Sequence, residues 1–556
     1  MALGLSLVLP VPGAAQATAY VPNFDTAYRD LDALMAAGLV RNVIAAQRPY
    51  SRLSVARMAV EARTAIASVA RMAIEARASV AAAPAVSRLR FVEALQRLEA
   101  AFAPEIRALC ASAGLACVPL PGGATVRSVS SDFTWADSRG RRIPSSYDAL
   151  TTDYIDAELN PLLQKNEGRR IADGATYGAE ANVDLGLGRF FVAAVHPRAW
   201  ASAPRGADAG AAATLQEAYV RALLGNFAVD AGRNHGTHGY DREGGVILSN
   251  NARGLDRLRF SMDRPASLPS FLRLLGPISA SASVADMGGN SDTPHSMLVV
   301  FQASARPLPI FEIGATLLNE QGGTGSPAAT FSERINDILL IRPHEPSISD
   351  KVFGADARLT IPGARTQLYL EVLTTDDHNV IHSPFTGDWK PAFTTEASWT
   401  VGATVTGLGA EGRTDLWAEA RTSGVRPHTH HQFTSGLTLD GRIIGDPLGP
   451  LGANVTGGLE WRGAGHTAAL TAAWEDYSGA DRYEHPPEVV LKGRWIRTVD
   501  RPDEVRMRLL ADWSSDPNER RIGSSVRLGY ERVTRFAFTP DSRSNLLVQL
   551  KLDYRW

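Results

Sequence analysis

From Val548 to the C-terminus every second residue is apolar or aromatic: Val548, Leu550, Leu552, Tyr554 and Trp556. Gln549, Lys551, Asp553 and Arg555 fill the positions between them. In a strand these two sets point to opposite faces, one suited to lipid and the other to water. A transmembrane barrel strand requires that arrangement. An edge strand of a soluble sheet also alternates, but nothing in such a sheet asks for a terminal aromatic pair.

The other end of the chain points the same way. Residues 1–9 are short and apolar, and Ala15-Gln16-Ala17 has the small-x-small form of a secretory cleavage site. The run is too short to cross a bilayer as a helix. It lacks the usual basic n-region, which leaves the start codon open. The expectation is a signal peptide over 1–17, export, and a mature chain starting near Thr18. Tyr554 and Trp556 resemble the terminal signal read by the barrel-assembly machinery of bacterial outer membranes, which makes that machinery an expected partner.

Length alone, 556 residues, fits three or four soluble domains or one large barrel. After the first residues no apolar run reaches membrane-helix length, so a helical membrane protein is excluded. The mean hydropathy of −0.11 does not exclude a barrel, because alternation keeps the average low. A net charge of −2 gives no sign of nucleic-acid binding. Cys110 and Cys117 are the only cysteines. After export they are a candidate small-loop disulfide, with two idle thiols as the other reading. Two cysteines give no metal-site spacing.

Residues 24–113 carry helical periodicity. Asp25 is placed to cap a first helix that Gly38 ends, and a second begins after Pro49, Tyr50 and Ser51. Inside the second, Ser54-Val-Ala-Arg-Met-Ala-Val-Glu-Ala-Arg63 recurs as Ser68-Val-Ala-Arg-Met-Ala-Ile-Glu-Ala-Arg77. That insertion, near four turns, lengthens the helix by roughly 21 Å and almost preserves its apolar face. A third helix is expected from Pro84, with Pro104 kinking or restarting it. After residue 123 the period changes to two. Segments such as 176–185, 278–285, 367–373, 489–496 and 505–513 alternate, and Gly, Pro, Asn and Asp clusters separate them. The remaining length accommodates roughly 18 strands at about 24 residues per strand and connection, an even number as bacterial barrels require. Long loops are expected at 319–350 and 376–391. The division expected is a signal peptide over 1–17, a periplasmic helical bundle over 18–123 and an outer-membrane β-barrel over 124–556.

Several stretches together resemble the capsule assembly Wzi family. They are Ala27-Tyr-Arg-Asp-Leu-Asp-Ala-Leu34, Ala37-Gly-Leu39, Gln47-Arg-Pro-Tyr-Ser-Arg52, Gly245-Val-Ile-Leu-Ser-Asn-Asn-Ala-Arg253, Leu368-Tyr-Leu-Glu371 with Asp376-Asp377, and His431 through Gly445-Asp-Pro-Leu-Gly449. The resemblance implies an 18-stranded outer-membrane barrel of a Gram-negative-type bacterium, with a helical bundle at its periplasmic end. It also implies a lectin-like role in attaching surface or capsular polysaccharide. The duplicated helix departs from the family pattern, and no sugar-binding residue is carried over from it.

A glycan-binding barrel needs aromatic faces and charged side chains on its outer loops. Asp376, Asp377, Asp388, Trp389 and Lys390 supply such a set in one long loop, beside His378 and His382. A solvated loop with an interfacial Trp is the plainer account of them. His428, His430 and His431 lack the further ligands a metal needs. Ser249 to Arg253 reads as closing a turn or ordering the wall, and Arg48 and Arg52 either as docking the bundle on barrel carboxylates or as a solvated helix start. The chain has no Gly-x-Ser-x-Gly elbow and no His-Glu-x-x-His. The expected protein is thus a monomeric, non-catalytic barrel with no cofactor and no metal, and its partners are outer-membrane lipid and polysaccharide. The competing function is a porin, a diffusion channel for small solutes.

Overall fold

The computed structural model describes residues 16–75, 85–109, 119–144, 154–240, 242, 245–339, 341, 347–375, 397–409, 411–424, 433–450, 452–463, 465–477, 483–484, 496–497, 502–516 and 521–556. Eighteen antiparallel strands close into one barrel. They are β1 (Gly123–Asp137), β2 (Gly174–Leu187), β3 (Phe191–Pro204), β4 (Gly210–Leu224), β5 (Phe227–Asn234), β6 (Leu255–Met262), β7 (Pro277–Asp286), β8 (Met297–Leu308), β9 (Phe311–Gln321), β10 (Ser349–Ile361), β11 (Thr366–Thr375), β12 (Ala397–Leu408), β13 (Thr414–Thr422), β14 (Gly452–Arg462), β15 (His466–Tyr477), β16 (Glu504–Ser515), β17 (Ile522–Thr534) and β18 (Ser542–Arg555). Each pairs with its neighbours in sequence. β18 closes the ring on β1, from Ser128 opposite Arg555 to Asp137 opposite Leu546.

The terminal strand keeps the alternation read from its sequence. Leu550, Leu552, Tyr554 and Trp556 are exposed on the outer wall. Lys551 reaches Glu180 and Arg555 reaches Asp25 inside the barrel. Most other strands repeat the pattern, with Leu258, Leu370, Leu459, Leu470 and Leu528 on the outside. Exposed aromatics gather toward the two rims, Phe227, Trp461, Trp513 and Tyr554 at one and Tyr177, Trp474 and Tyr530 at the other. Apolar belts flanked by aromatic girdles are the signature of a wall immersed in a bilayer. No helix among the described residues is long and apolar enough to cross a membrane.

Connections at one end are short, for example 188–190, 225–226, 309–310 and 463–465. Those at the other end are mostly long: 138–173, 235–254, 322–348, 376–396, 423–451 and 478–503. In outer-membrane barrels short turns face the periplasm and long loops face outward. The expected loop at 319–350 differs from the reading: β9 runs on to Gln321, and the connection contains helix α5 (Phe331–Ile338). The expected strand at 489–496 lies almost wholly outside the described residues.

The helices sit at the short-turn end: α1 (Ala27–Ala36), α2 (Arg52–Glu75), α3 (Ala85–Ala101) and α4 (Ala103–Ala108). Asp25 Oδ1 accepts from the Ala27 N–H at 2.8 Å. Gly38, at φ +70°, ends α1 while Leu39 N–H bonds back to Leu34 and Gly38 N–H to Met35. That is a Schellman ending, which glycine adopts without strain. Phe102 interrupts the third helix just before Pro104, as a proline inside a helix demands. Leu31, Leu34, Val55, Ala59, Leu98 and Phe102 form the bundle core.

Leu470→Arg is expected to cost about 2–4 kcal/mol in urea-monitored folding into liposomes, the range for a charge near the bilayer midplane. An unchanged urea midpoint for Leu470→Arg would contradict a lipid-facing wall.

Candidate functional site at the closed long-loop end

The lumen is crossed by two stretches of chain that enter from opposite ends. Residues 40–50 come up from the bundle and residues 235–248 come down from the connection between β5 and β6. They meet as a two-stranded ribbon, Gln47–Arg48 against Thr237–His238. Buried loop backbone needs hydrogen-bond partners that no ladder supplies. The wall provides them through inward carboxylates at alternate strand positions. Glu312 Oε1 accepts from Ala45 N–H at 2.8 Å, Ala46 N–H at 3.2 Å and the Tyr240 hydroxyl at 3.0 Å. Glu371 accepts from Tyr240 N–H at 2.5 Å and Val246 N–H at 3.1 Å. Glu419 accepts from Arg242 N–H at 2.7 Å, and Glu460 pairs with the Arg242 side chain. On the far side Gln47 donates to Ser304 and accepts from Ser279, and Tyr20 donates to Asp230.

Above this septum an apolar layer covers the long-loop end beside β6 to β11. Val246, Ile247, Leu248, Leu437 and Ile444 pack against strand ends such as Leu298 and Leu373. Three connections are stitched together there. Ser249 donates to the Gly445 carbonyl at 2.6 Å, and Asn251 Nδ2 donates to the Ile443 carbonyl at 2.9 Å. The Lys165 N–H reaches Asn251, and the Glu167 N–H reaches the Asn250 carbonyl. The stretch from Ser249 to Arg253 therefore ties together three connections across the barrel mouth, where its sequence suggested a closed turn or an ordered wall.

A polar rim flanks this lid on one side, built from outward positions at strand ends and from the connections above them. Arg233 holds Asp256 through two bonds of 2.8 Å. Arg253 bridges Asp256 at 3.0 Å and Asp440 at 2.5 Å, and Asn290 donates to Asp440 at 3.0 Å. Thr434 donates to Asp292 at 2.8 Å, and His295 sits 3.1 Å from Asp286. Burial opposes ionisation of Asp440, but the bonds from Arg253 and Asn290 outweigh it and hold the carboxyl below its usual range. Carboxylates, amides, an imidazole and guanidinium groups so arranged offer paired donors and acceptors to a polyhydroxylated ligand.

Sequence reasoning did not single out this rim, apart from Arg253. Its members come from different connections, and no periodicity links them. The residues it did single out, Asp376, Asp377, Asp388, Trp389 and Lys390, lie outside the described residues, as do His428, His430, His431, Cys110 and Cys117. The flanking strand ends, Thr375 and Ala397, open at the same long-loop end as the rim. Among the described residues no cluster of His, Cys, Asp or Glu is placed to hold a metal ion.

Docking of the bundle corrects the reading of Arg48 and Arg52. Arg48 pairs with Asp32 and lies over the Tyr28 ring. Arg52 pairs with Glu105 at 2.6 Å and lies over the Phe102 ring. Both are used inside the bundle, because its own carboxylates are nearer than those of the wall. Docking instead converges on Asp263, in the turn after β6. Its carboxylate accepts from Ser51 at 2.8 Å, Arg57 at 2.9 Å and the buried Arg221 at 2.7 Å. Arg90 with Asp415 and Arg413 with Glu93 add contacts from α3. Burial pushes the Asp263 carboxyl up, but Arg221, Arg57 and Ser51 outweigh it and hold the group below its usual range.

Asp263→Ala leaves Arg57 and Arg221 without this counter-charge. The expected loss is about 3–5 kcal/mol, the cost of breaking a buried pair, with faster proteolysis of the helical region. For a depressed carboxyl the contribution is complete above the unfolded value of about 3.9 and fades as pH falls through the lower folded value. Bundle docking should therefore hold at pH 5 and weaken only in stronger acid, as read by proteolysis across a pH series. In Asp263→Ala that acid step should be missing.

The family model described as capsule assembly protein Wzi matches residues 155–462. The matched stretch contains the segments at 245–253, 368–371 and 445–449, while the helical segments at 27–52 fall outside it. Among solved structures, an Escherichia coli protein described as Wzi, an outer-membrane protein involved in group 1 capsule assembly and a carbohydrate-binding β-barrel, superposes with a TM-score of 0.64. It is 16% identical, and the match covers 97% of this chain and 100% of that one. Pseudomonas aeruginosa OccD3 superposes at a TM-score of 0.41 with 10% identity, covering 78% of this chain and 92% of its own. Pseudomonas aeruginosa OprD superposes at 0.43 with 8% identity, covering 78% of this chain and 96% of its own. No curated protein sequence matches. The family match spans more than half of the 556 residues, and the chain belongs to the capsule assembly protein Wzi family.

Proposed function

We propose that this outer-membrane barrel holds surface polysaccharide at its long-loop face and performs no reaction on it. The observation that carries the reading is the septum: residues 40–50 and 235–248 meet in the lumen and bond to inward groups around much of the wall. A barrel of this size has room for an aqueous channel, which a porin keeps open. Here the space is given to buried chain and the mouth to an apolar lid, so the useful surface is the rim. Family membership and the carbohydrate-binding description of the Escherichia coli relative name the class of ligand.

The mechanism is retention by many weak contacts. Rim carboxylates and amides take hydroxyl groups, and the loop carrying Asp376, Asp377, Asp388, Trp389 and Lys390 adds a stacking face and further charges. A repeating polymer engages several such contacts on one barrel and on neighbouring barrels, which multiplies weak affinity by about 10² to 10⁴. In this reading the chain works as a monomer, and the barrel-assembly machinery inserts it through Tyr554 and Trp556.

Deleting the gene should leave total polysaccharide unchanged and raise the shed fraction. Restoring the gene with Trp389→Ala should recover attachment in part, and restoring it without residues 376–391 should recover less. An unchanged attached fraction in the deletion strain would refute the retention role.

A further inference from the structure

The connection between β9 and β10 contains a helix whose polarity is reversed for one packed against a protein. α5 is well formed: Thr330 Oγ1 accepts from Glu333 N–H at 3.3 Å, and Glu333 Oε2 accepts from Thr330 N–H at 2.7 Å, a complete capping box. Its buried residue is Asp337, a carboxylate. Asp337 accepts from Asn319 at 3.2 Å and Ser349 at 2.6 Å, and pairs with Lys351 at 2.8 Å. Those three partners lie on the outward face of the wall. Their neighbours Leu318 and Val352 point inward to the lid cluster. The helix thus lies against the outside of the barrel, at the long-loop ends of β9 and β10.

The other side of α5 is apolar and open. Phe331, Ile335 and Leu339, spaced four apart, are 81%, 36% and 55% exposed, and Ile341 just beyond is 61% exposed. A helix that turns a carboxylate inward and a Phe-Ile-Leu stripe outward is suited to an apolar solvent. From the helix to the short-turn end the outward positions of the wall stay apolar, Leu317, Ala315 and Ile313 on β9 and Phe353, Ala355, Leu359 and Ile361 on β10, and none of these residues is buried.

We infer that α5 lies in the outer leaflet, with Phe331, Ile335 and Leu339 against lipid acyl chains. Its polar side covers Asn319, Ser349 and Lys351, which would otherwise meet the hydrocarbon boundary. The helix fixes the depth of the rim beside β9 and β10.

The test places a nitroxide at Ile335→Cys or Leu339→Cys in the full chain, with Cys110 and Cys117 replaced by serine. The variants are reconstituted in phosphatidylcholine–phosphatidylglycerol vesicles, and heat-modifiable migration confirms that each has folded. Collisional access to oxygen is compared with access to a neutral nickel chelate. Leu370→Cys on the lipid-facing wall and Asp208→Cys in an exposed turn are the two references. The expected oxygen-to-nickel ratio matches Leu370→Cys and exceeds Asp208→Cys at least tenfold. A ratio like that of Asp208→Cys would overturn the inference. Exclusion of both reagents with spin–spin broadening would also overturn it, since a second copy of the chain would then cover the stripe. If one variant fails to fold, the other carries the readout.

Discussion

Glu312 is the point on which the closed lumen depends. One carboxylate oxygen accepts from Arg306 at 2.8 Å and Arg358 at 3.0 Å, both on the wall. The other accepts from the Ala45 and Ala46 N–H groups and from the Tyr240 hydroxyl. A single buried charge thus joins the wall, the segment rising from the bundle and the segment descending from the loops. Buried ion pairs add little net stability against an apolar replacement, yet losing one partner costs about 3–5 kcal/mol. Glu371, Glu419 and Glu460 continue the row and hold the next residues of the descending segment.

The rest of the architecture follows from facing two solvents at once. A wall that is apolar outside must be polar inside, because strand neighbours alternate. A polar interior filled with chain needs a counter-charge for each buried charge, which explains the density of Arg, Asp and Glu in the lumen. The lid solves a separate problem. It covers the septum with Val246, Ile247 and Leu248, and the polar rim stands at the edge of this layer, where Arg233, Asp256 and Asp286 take outward positions at strand ends. The long loops thus stand on a rigid frame, the kind of place where recognition commonly resides.

Much of the fold was legible because it rests on local periodicity. The terminal strand, the change from helical period to period two, the Gly38 ending and the break before Pro104 each depend on residues within one or two turns or strands. The closure was not legible. Ala45 and Glu312 are 267 positions apart, and Tyr240 and Glu371 are 131 apart. Period two shows that Glu312 and Glu371 face inward, but not what they meet there. Arg48 and Arg52 were misplaced for the same reason: a charge near a helix start does not reveal which carboxylate lies closest. α5 did leave a signal, Thr330-x-x-Glu333 ahead of Ile335 and Ile338, that the long-loop reading passed over. The rim shows the limit most clearly, since Asp256, Asn290 and Asp440 become neighbours only once the barrel has closed.

Two segments that share Glu312 occupy the lumen, and that occupation separates this barrel from an open channel. Planar-bilayer conductance of the full-length protein beside Glu312→Ala tests it directly. The intact protein should show no steady open state, and Glu312→Ala should show intermittent openings as the two segments loosen. A large, steady open-state current from the intact protein would contradict the account.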